Sequence, residues 1–408
     1  MDLTVTREAG TDRKITQPGE RHDPPYEWVH DGRENVLVVR SLPLARAVLR
    51  LQDSTRQSGF LGDHITMESA PILYQEGTQH REQRGATGRF FAPKVVSRDY
   101  GELIDAYVSE AIDRVRTERT VDVDDLSLSL AVAVAAKVVG LTSSSTRGMA
   151  RRLDRFFEQD MDAATRSSAS AWVHRARSLA TMTAFFVADV RPAIRSRRLA
   201  PRADVISHLI SKGYSDQAIL TECLTYAAAG MATTREFISV ATWHMLERPD
   251  VRAAYLAGDV AERRSILAEI LRLEPVVGHL LRRTTREVVI EHGDETLVVP
   301  AGARIDVQVR SVNVDADLYG SDAGCLSASR EVAPRTPRHG MSFGDGNHSC
   351  PGEHLAMEES DAFLQRLLAL DIRVVRPPRV KLVEVIAAYE LRGFTIAGTG
   401  RLWEPVAG

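Results

Sequence analysis

The stretch of sequence that decides the fold is residues 343–356, which read FGDGNHSCPGEHLA. Glycines surround a single cysteine, Cys350, and the chain then enters an apolar-periodic segment that predicts a helix. A thiolate at such a junction is close to the positive end of the helix macrodipole and to backbone N–H groups, which lower its pKa and make it a metal ligand. Because Pro351 has no N–H group, we expect Gly352 and Glu353 to supply those donors.

The stretch resembles the haem-binding signature of the cytochrome P-450 superfamily, Phe-Gly-x-Gly-x-[Arg/His]-x-Cys-x-Gly-x-x-x-Ala. The residues that fill its specified positions are Phe343, Gly344, Gly346, His348, Cys350, Gly352 and Ala356. The resemblance implies that Cys350 is the axial thiolate ligand of a haem b iron and that His348 contacts a haem propionate. A thiolate ligand supplies electron density that favours cleavage of the O–O bond.

The residues alone leave two other interpretations of Cys350 open. A zinc site could use Cys350, His348 and His354, but the sequence lacks a second ligand pair that would complete a tetrahedral shell. A free buried cysteine is the other interpretation, and it would not need the surrounding glycines.

The bulk composition is that of a globular protein without a general attraction to nucleic acid. The chain has 408 residues, of which 44% are hydrophobic and 26% charged, and its net charge is −3. Its three cysteines are widely spaced, which indicates a reducing compartment rather than a disulfide framework. Without an apolar run of membrane-spanning length, we expect a cytoplasmic protein with no membrane partner. We expect a flexible N-terminal arm over residues 1–25 and one domain over residues 26–408.

Residues 215–248 predict a long helix, capped by Ser215, whose middle is built of small residues. Small side chains there indicate either a bulky group close to the backbone or a tight helix crossing. Adjacent threonines can also bend the helix by bonding back to a carbonyl group. The middle resembles the distal helix of the family, [Ala/Gly]-Gly-x-[Asp/Glu]-Thr-[Thr/Ser], which implies catalytic roles for Gly230, Thr233 and Thr234.

Ala232 stands where the family pattern has an acid. Cleavage of the O–O bond needs protons on the distal side, and in the family a carboxylate and a threonine hydroxyl supply them. We therefore expect water, a polar group of the substrate or Glu236 to replace the carboxylate. The departure also leaves room for oxidative coupling or for peroxide-driven chemistry.

Further matches concern haem contacts, a structural cluster and the substrate pocket. His80 and Arg84 lie at i and i+4 on one helix face and can bracket an anion; by resemblance they bind haem propionates together with Arg282. By the same resemblance, a buried cluster under the haem is formed by Glu269, Arg272 and Arg330. Variable loops at residues 53–79 and 157–190 are expected to face the substrate. The candidate pocket residues are Ala229, Val277, Leu280, Phe60 and Ile65.

These matches follow the family's order across residues 34–396. The resemblance implies a mainly α (α+β) fold, a triangular helical domain with small antiparallel sheets around a buried haem. It also implies a haem-thiolate monooxygenase that uses O2 and two electrons to hydroxylate or otherwise oxidise a small apolar substrate in secondary metabolism. The alternatives are a peroxide-using enzyme, an oxidative coupling enzyme and a non-catalytic haem-binding sensor.

The electrons are expected to come from outside the chain, because no dinucleotide-type glycine fingerprint follows a predicted strand. The resemblance implies that NAD(P)H supplies them through a ferredoxin reductase and a ferredoxin. Arg335 and Arg338 are candidates for the docking patch of that partner, and ordinary surface charge is the other explanation.

Overall fold

Helices dominate the computed structural model, which describes residues 11–15, 23–58, 70–160, 168–383 and 388–404. The helices are α1 (Leu42–Leu49), α2 (Gly77–Gly88), α3 (Pro93–Val95), α4 (Gly101–Thr117), α5 (Val123–Val139), α6 (Thr146–Asp160), α7 (Ser168–Phe185), α8 (Arg191–Leu199), α9 (Val205–Ser211), α10 (Asp216–Tyr226), α11 (Thr233–Glu247), α12 (Pro249–Ala257), α13 (Val260–Leu273), α14 (Val309–Val312), α15 (Ala316–Tyr319) and α16 (Glu353–Leu368). No described helix has both the length and the apolar character needed to span a bilayer.

The strands form small sheets at the edge of the helical body. They are β1 (Tyr26–His30), β2 (Asn35–Val39), β3 (Thr55–Gln57), β4 (Val121–Asp122), β5 (His279–Thr284), β6 (Val288–His292), β7 (Glu295–Val299), β8 (Arg304–Gln308), β9 (Leu370–Arg376), β10 (Arg379–Val383), β11 (Ala388–Arg392) and β12 (Thr395–Leu402). Within the described ranges the sheet orders are β1-β2-β8-β5-β3, β4-β12-β9, β6-β7 and β10-β11. The strand pairs are antiparallel except β2–β8, which is parallel. The predicted mainly helical fold with small sheets is confirmed.

Two hydrophobic clusters position the site. The larger one joins the helices, and α11 packs on α5 on one side and on α16 on the other. The smaller one fills the space between the five-stranded sheet and α1. α11 is buried almost all round, and its buried surface carries polar side chains such as Arg235 and Glu236 as well as apolar ones. This packing places the helix that follows Cys350 directly against the helix that begins at Thr233.

The long helix predicted over residues 215–248 has three parts. Ser215 caps α10 by accepting a hydrogen bond from the N–H of Ala218. A π-helical segment, Ala227–Ala232, separates α10 from α11 and coincides with the run of small residues. π-Helical turns inside α-helices are rare and are frequently found at functional sites. The helix does end at Glu247, and Pro249 opens the next helix, α12, at a position where its missing N–H costs nothing.

Residues 11–15 differ from the flexible arm expected over residues 1–25, because they are docked on the helical body. The guanidinium of Arg13 donates to the carbonyl of Leu273 at 3.1 Å, and the ammonium group of Lys14 lies 2.7 Å from the Glu247 carboxylate. Arg310 donates to the carbonyl of Ile15 at 2.8 Å. Arg13 and Lys14 thus hydrogen-bond to groups at the ends of α13 and α11. The polar composition of residues 1–25 did not reveal this docking.

Candidate active site

Cys350 lies immediately before α16, and the backbone around it is arranged for a negatively charged sulfur. The N–H groups of Gly352 and Glu353 donate to the sulfur and lower the pKa of the thiol, and the charge of Arg84 acts in the same direction. Desolvation by the surrounding protein atoms is the larger effect and raises the pKa overall, although the residue itself is exposed, so the expected net lowering is wrong for the thiol. Coordination to a metal ion deprotonates a thiol outright, and these groups would then stabilise the thiolate.

The loop before Cys350 is held in place by α1. Asp345 accepts hydrogen bonds from Arg46 and Arg50, each at 2.9 Å. Gly346 has φ +70°, and a Cβ atom there would lie 2.3 Å from the carbonyl oxygen of Leu49. Only glycine combines this backbone conformation with such a close approach. The glycine spacing of the loop therefore serves the packing of α1 as well as any ligand.

Two arginines near Cys350 form hydrogen bonds to neutral groups. Arg84 donates to the carbonyl of Ser349, and the buried Arg282 donates to the side-chain oxygen of Gln57 and, at 3.0 Å, to the carbonyl of Leu281. Burial lowers the pKa of both guanidinium groups, that of Arg282 to about 10. Two desolvated cations that bond to neutral carbonyl groups are suited to an anionic ligand.

The two candidate histidines stack on each other beside these arginines. The ring centroids of His80 and His348 are 4.0 Å apart, with an angle of 21° between the planes. Burial lowers the pKa of His80 to about 4, and the charge of His348 acts in the same direction. Sequence reasoning missed Glu76, whose carboxylate lies 3.2 Å from Nε2 of His348. Its position four residues before His80, at the start of α2, was the available signal.

Glu269, Arg272 and Arg330 meet in a buried ion-pair cluster. Arg272 makes a two-pronged contact with Glu269, with both N–O distances 2.8 Å, and Arg330 donates to the same carboxylate at 2.6 Å. Arg272 also donates to the carbonyls of Asn313 and Ala323 at 2.7 Å. The three side chains together tie α13 to the segment that leads into the Cys350 loop.

Thr233 and Thr234, predicted to act together, point into different surroundings. The hydroxyl of Thr233 donates to the carbonyl of Ala229 at 2.5 Å and so bridges the π-helical segment. Thr234 is buried, and its side chain is hydrogen-bonded to Glu359 on α16. Adjacent residues on a helix project about 100° apart, which explains the separation.

Glu236 is not placed to relay protons as we had expected. It is buried, and its carboxylate accepts from the N–H of Leu391 and the guanidinium of Arg392, both at 2.7 Å, and from Arg235 at 3.0 Å. These bonds connect α11 to β11, so the carboxylate has a structural role.

The pocket candidates are partly accessible where the structure describes them. Ala229 is exposed, and Gly230, Val277 and Leu280 are half-buried. A methyl carbon of Leu280 would lie 3.8 Å from a Cβ atom built on Gly344, so this side chain lies beside the Cys350 loop. Phe60 and Ile65 fall outside the described residues, as does the part of the variable loop at residues 53–79 that spans residues 59–69.

Among the described residues, no group of three or more His, Cys, Asp or Glu side chains is arranged to hold a metal ion. His348 stacks on His80 instead of joining Cys350 and His354. This arrangement argues against the zinc interpretation.

Comparisons with known proteins agree with this geometry. The family model "Cytochrome P450" matches residues 264–370, which include α13, the Cys350 loop and α16. Cytochrome P450 130 of Mycobacterium tuberculosis is 28% identical over 311 residues, covering 74% of this chain and 71% of that protein. Cytochrome P450-SOY of Streptomyces griseus is 26% identical over 337 residues, covering 80% and 74%.

Solved structures show the same fold. That of CalO2 superposes with a TM-score of 0.75 at 22% identity, covering 93% of this chain and 94% of the other. A mutant of P450 EryK in complex with erythromycin B gives a TM-score of 0.74 at 19% identity, covering 95% of each chain. The chain belongs to the cytochrome P450 superfamily. It is a haem-thiolate monooxygenase of the bacterial type, which uses O2 and electrons from redox partners.

The residues of this P450 fit a haem. Cys350 offers a sulfur with two N–H donors on it, and Arg84 and Arg282 offer buried positive charge for two carboxylates. Gly352 lies beside the Cys350 sulfur, since a Cβ atom built on it would make ordinary van der Waals contact with that sulfur at 3.9 Å. The donor set is therefore that of a thiolate-ligated iron with an anionic periphery.

Proposed function

We propose that this P450 holds haem b through Cys350 and hydroxylates or otherwise oxidises a small apolar substrate of secondary metabolism. NAD(P)H supplies the electrons through a ferredoxin reductase and a ferredoxin. The observation that carries the proposal is the Cys350 sulfur, which receives two backbone N–H groups at the start of α16. When bound, the haem activates O2 so that one oxygen atom enters the substrate and the other leaves as water.

Each residue group has a defined task in this proposal. Cys350 is the iron ligand, and the N–H groups of Gly352 and Glu353 stabilise its charge. Arg84, Arg282, His80 and His348 would hold the propionates, and Phe343, Gly344 and Ala356 would lie against the ring. The buried Glu269 cluster keeps the loop rigid, since its charges are fully paired.

The distal residues hold and orient the reacting groups. The hydroxyl of Thr233 is fixed by its bond to the Ala229 carbonyl, so its lone pairs remain free to accept a hydrogen bond from a water molecule. Gly230 and Ala229 leave space beside it. The missing acid at Ala232 means that protons reach this hydroxyl from another group.

Support for an apolar substrate comes from the side chains beside the site. Ala229, Val277 and Leu280 present carbon atoms there and no charge. Several structural neighbours are described with apolar or antibiotic molecules, among them P450 EryK with erythromycin B and CYP109E1 with testosterone. Another, HmtN, is described as a post-tailoring hydroxylase in himastatin biosynthesis, which supports a place in secondary metabolism.

A basic groove beside Cys350 supports an acidic electron carrier such as a ferredoxin. It has a volume of ≈ 580 Å³ and adjoins a second groove of ≈ 640 Å³, with which it shares Pro93, Arg264 and His354. Four cationic side chains line the two grooves, against two acids, Glu353 and Glu358; the cations are Lys94, Arg98, Arg264 and Arg338. Arg335, the other predicted docking residue, lies outside both linings. A cleft in which cations outnumber acids raises the association rate of an acidic partner.

Charge reversal in the groove tests the electron carrier. We expect Arg264→Glu to lower the ferredoxin-supported reduction rate at low salt by about tenfold or more and to flatten its salt dependence. Arg116→Glu on α4, outside the groove, is the matched control. Equal rates for both variants would contradict docking at this surface.

Substrate class is tested by the shift of the Soret band that accompanies the change of the haem iron from low to high spin when a substrate binds. Testosterone, erythromycin B and hexadecenoic acid form a first panel of apolar ligands, and charged amino acids form the comparison. The proposal expects shifts in the first group only. A response confined to the charged compounds would contradict an apolar substrate.

A second candidate function is peroxide-driven oxidation, favoured by Ala232 at the position of the family acid. Peroxide already carries the two protons that the missing carboxylate would help to deliver. Sustained turnover with hydrogen peroxide, without reductase, would favour this candidate. Turnover only with reductase and NAD(P)H favours the monooxygenase.

A further inference from the structure

Glu222 is a buried acid on α10 that joins three parts of the chain and has no task in the proposed function. Its Oε1 atom accepts a hydrogen bond from the backbone N–H of Ile72 at 2.9 Å and another from the side-chain amide of Gln83 at 2.8 Å. The amide oxygen of Gln83 accepts in turn from the hydroxyl of Tyr214 at 2.6 Å. One carboxyl group therefore connects α10 to α2 and to residues 70–75.

Residues 70–75, which we call the 70–75 segment, lie within the loop that we expect to face the substrate. The segment contains one 3₁₀ turn, Ile72–Tyr74, and the side chain of Ile72 is buried. Glu76 follows the segment directly, and its carboxylate lies 3.2 Å from Nε2 of His348. A displacement of the 70–75 segment would therefore be felt beside the Cys350 loop.

The contact between α10 and the 70–75 segment is incompletely hydrogen-bonded. Glu222 is 1% exposed, and its Oε2 atom has no hydrogen-bond partner among the described residues. The same is true of Oε1 of Gln75, whose amide group donates to the carbonyl of Ala70 at 2.7 Å. Buried acceptors without donors cost free energy, so this contact is a candidate for local opening.

No cation balances the carboxyl group of Glu222. Burial raises its pKa to about 7, and the bonds from Gln83 and Ile72 oppose the rise only in part. In the part of the chain that the structure describes, no charged side chain contributes to this rise. The titratable neighbours on the same helix are Cys223 and Tyr226, and burial raises the pKa of both, so they stay neutral while Glu222 titrates.

The charged groups on the neighbouring elements are engaged elsewhere. Asp189, in the π-helical segment that packs on α10, is bound by Arg152 at 2.6 and 2.7 Å. On α2, Arg84 and His80 contact the Cys350 loop, and on α5 the side chain of Lys137 is exposed. An ionised Glu222 therefore lacks a compensating charge unless it reaches solvent.

We propose that Glu222 is a proton-controlled latch, which holds the 70–75 segment on α10 while it is neutral and releases the segment when it ionises. Release exposes the carboxylate to water, where its pKa returns to the ordinary value of 4.5. Between this value and about 7 the latched state binds more protons than the released state, so rising pH favours release. Above that window both states are ionised and the balance is constant.

Glu222 is thus a positioning residue, which acts on the site through the 70–75 segment rather than by touching the reacting groups. Its consequence for substrate binding rests on the monooxygenase function proposed above. The latch itself does not, because it needs neither haem nor substrate.

Hydrogen exchange at the backbone N–H of Ile72 measures the latch directly, in holoenzyme without substrate. The protection factor, corrected for the intrinsic pH dependence of exchange, should fall by more than about tenfold between pH 5 and pH 7 in wild type. A single proton limits the fall to about tenfold per pH unit. Glu222→Gln keeps the size and an acceptor oxygen but cannot ionise, so its protection factor should not change with pH.

Asp216→Asn is the matched control, because Asp216 is an accessible acid on the same helix that is bound by Arg198 at 2.6 Å. It should keep the wild-type profile. A protection factor of Ile72 that is constant in wild type would overturn the inference, whether or not Glu222→Gln folds. An equal fall in wild type and in Glu222→Gln would also overturn it, since another group would then be responsible.

The effect on the site is measured with carbon monoxide, a probe that has no titrating group. We expect its association rate with the reduced protein after flash photolysis to rise by about threefold or more between pH 5 and pH 7 in wild type and to stay constant in Glu222→Gln. A constant rate in wild type would overturn the connection between latch and site. Absence of the thiolate band would instead contradict the haem-thiolate function, and exchange at Ile72 would still test the latch.

Discussion

On the Cys350 side of the site, the sulfur and its two backbone donors come from one continuous stretch of chain, and the charges of the Glu269 cluster are paired. On the Thr233 side, the groups come from a π-helical segment and from a second helix, and one buried carboxyl oxygen there has no partner among the described residues. The first region is a rigid ligand frame, whereas the second keeps polar groups that are costly to bury. The difference teaches that the rigid ligand frame and the polar groups proposed to deliver protons come from different parts of the chain, and the predictions below test this difference.

The largest effect is expected from breaking the Glu269 cluster. Arg272→Ala leaves the Glu269 carboxylate buried without its two-pronged partner, which costs about 3–5 kcal/mol in comparable buried pairs. We expect loss of folded protein, or a large drop in thermal stability. Arg114→Ala is the matched control, because it breaks an exposed helical pair with Glu118 at 2.7 Å and should cost at most about 1 kcal/mol. Similar costs for the two would contradict a rigid frame.

A smaller loss is expected from Gly346→Ala. The added Cβ atom would meet the Leu49 carbonyl oxygen at 2.3 Å, so α1 or the loop must move, at a cost of about 2–3 kcal/mol. Gly293→Ala has a similar φ, +61°, but nothing within 4 Å of the added atom, and should lose only about 1 kcal/mol. Urea unfolding of both variants measures the difference, and equal losses would show that loop packing on α1 is unimportant.

The distal side is tested with Thr233→Ala and Ala232→Asp. Removing the hydroxyl should shift electrons from water or product to peroxide by about tenfold, and adding the carboxylate should shift them the other way by a smaller factor. Thr225→Ala is the control, since Thr225 makes the same type of bond, to the Thr221 carbonyl at 2.9 Å, on α10. If neither Thr233→Ala nor Ala232→Asp changes the share of electrons that ends in peroxide, the proposal that this side of the site delivers protons is contradicted.

The smallest effect concerns the pH dependence of stability. The pKa of Glu359 is about 8 in the fold against 4.5 as the ordinary value, so the folded state binds more protons than the unfolded state between these values. Stability therefore falls as pH rises through this window, by at most about 1.4 kcal/mol per pH unit from this group. Glu359→Gln should flatten the curve of unfolding free energy against pH between about 5 and 8, whereas Glu102→Gln, an exposed acid on α4, should not. Parallel curves for wild type and Glu359→Gln would contradict a buried protonated acid.

The surroundings of the Cys350 sulfur could be predicted well because the residues that form them are neighbours in the sequence. The glycine spacing around Cys350 and the missing N–H of Pro351 predicted both backbone donors. The Glu269 cluster could also be predicted from the sequence, since Glu269 and Arg272 have helical i, i+3 spacing and Arg330 follows in the family order. The predicted lowering of the Cys350 pKa was wrong, because desolvation of the thiol depends on packing that no short stretch of sequence reveals.

The Thr233 side could be predicted only in part. The run of small residues indicated a disturbed helix, and the π-helical segment lies there. The partner of Thr234 was invisible, because Glu359 belongs to a helix far along the chain and nothing local indicates which face of α16 meets α11. The same reason explains the wrong expectation for Glu236, whose partners lie on β11.

The central claim is that the sulfur of Cys350 binds iron. It is tested most directly by the spectrum of the reduced protein under carbon monoxide, recorded for wild type, Cys350→Ala, Cys223→Ala and Cys325→Ala. We expect the strongly red-shifted thiolate band in wild type and in the Cys223 and Cys325 variants, and its loss in Cys350→Ala alone. A wild-type spectrum without the band, or a band that survives in Cys350→Ala, would contradict the account.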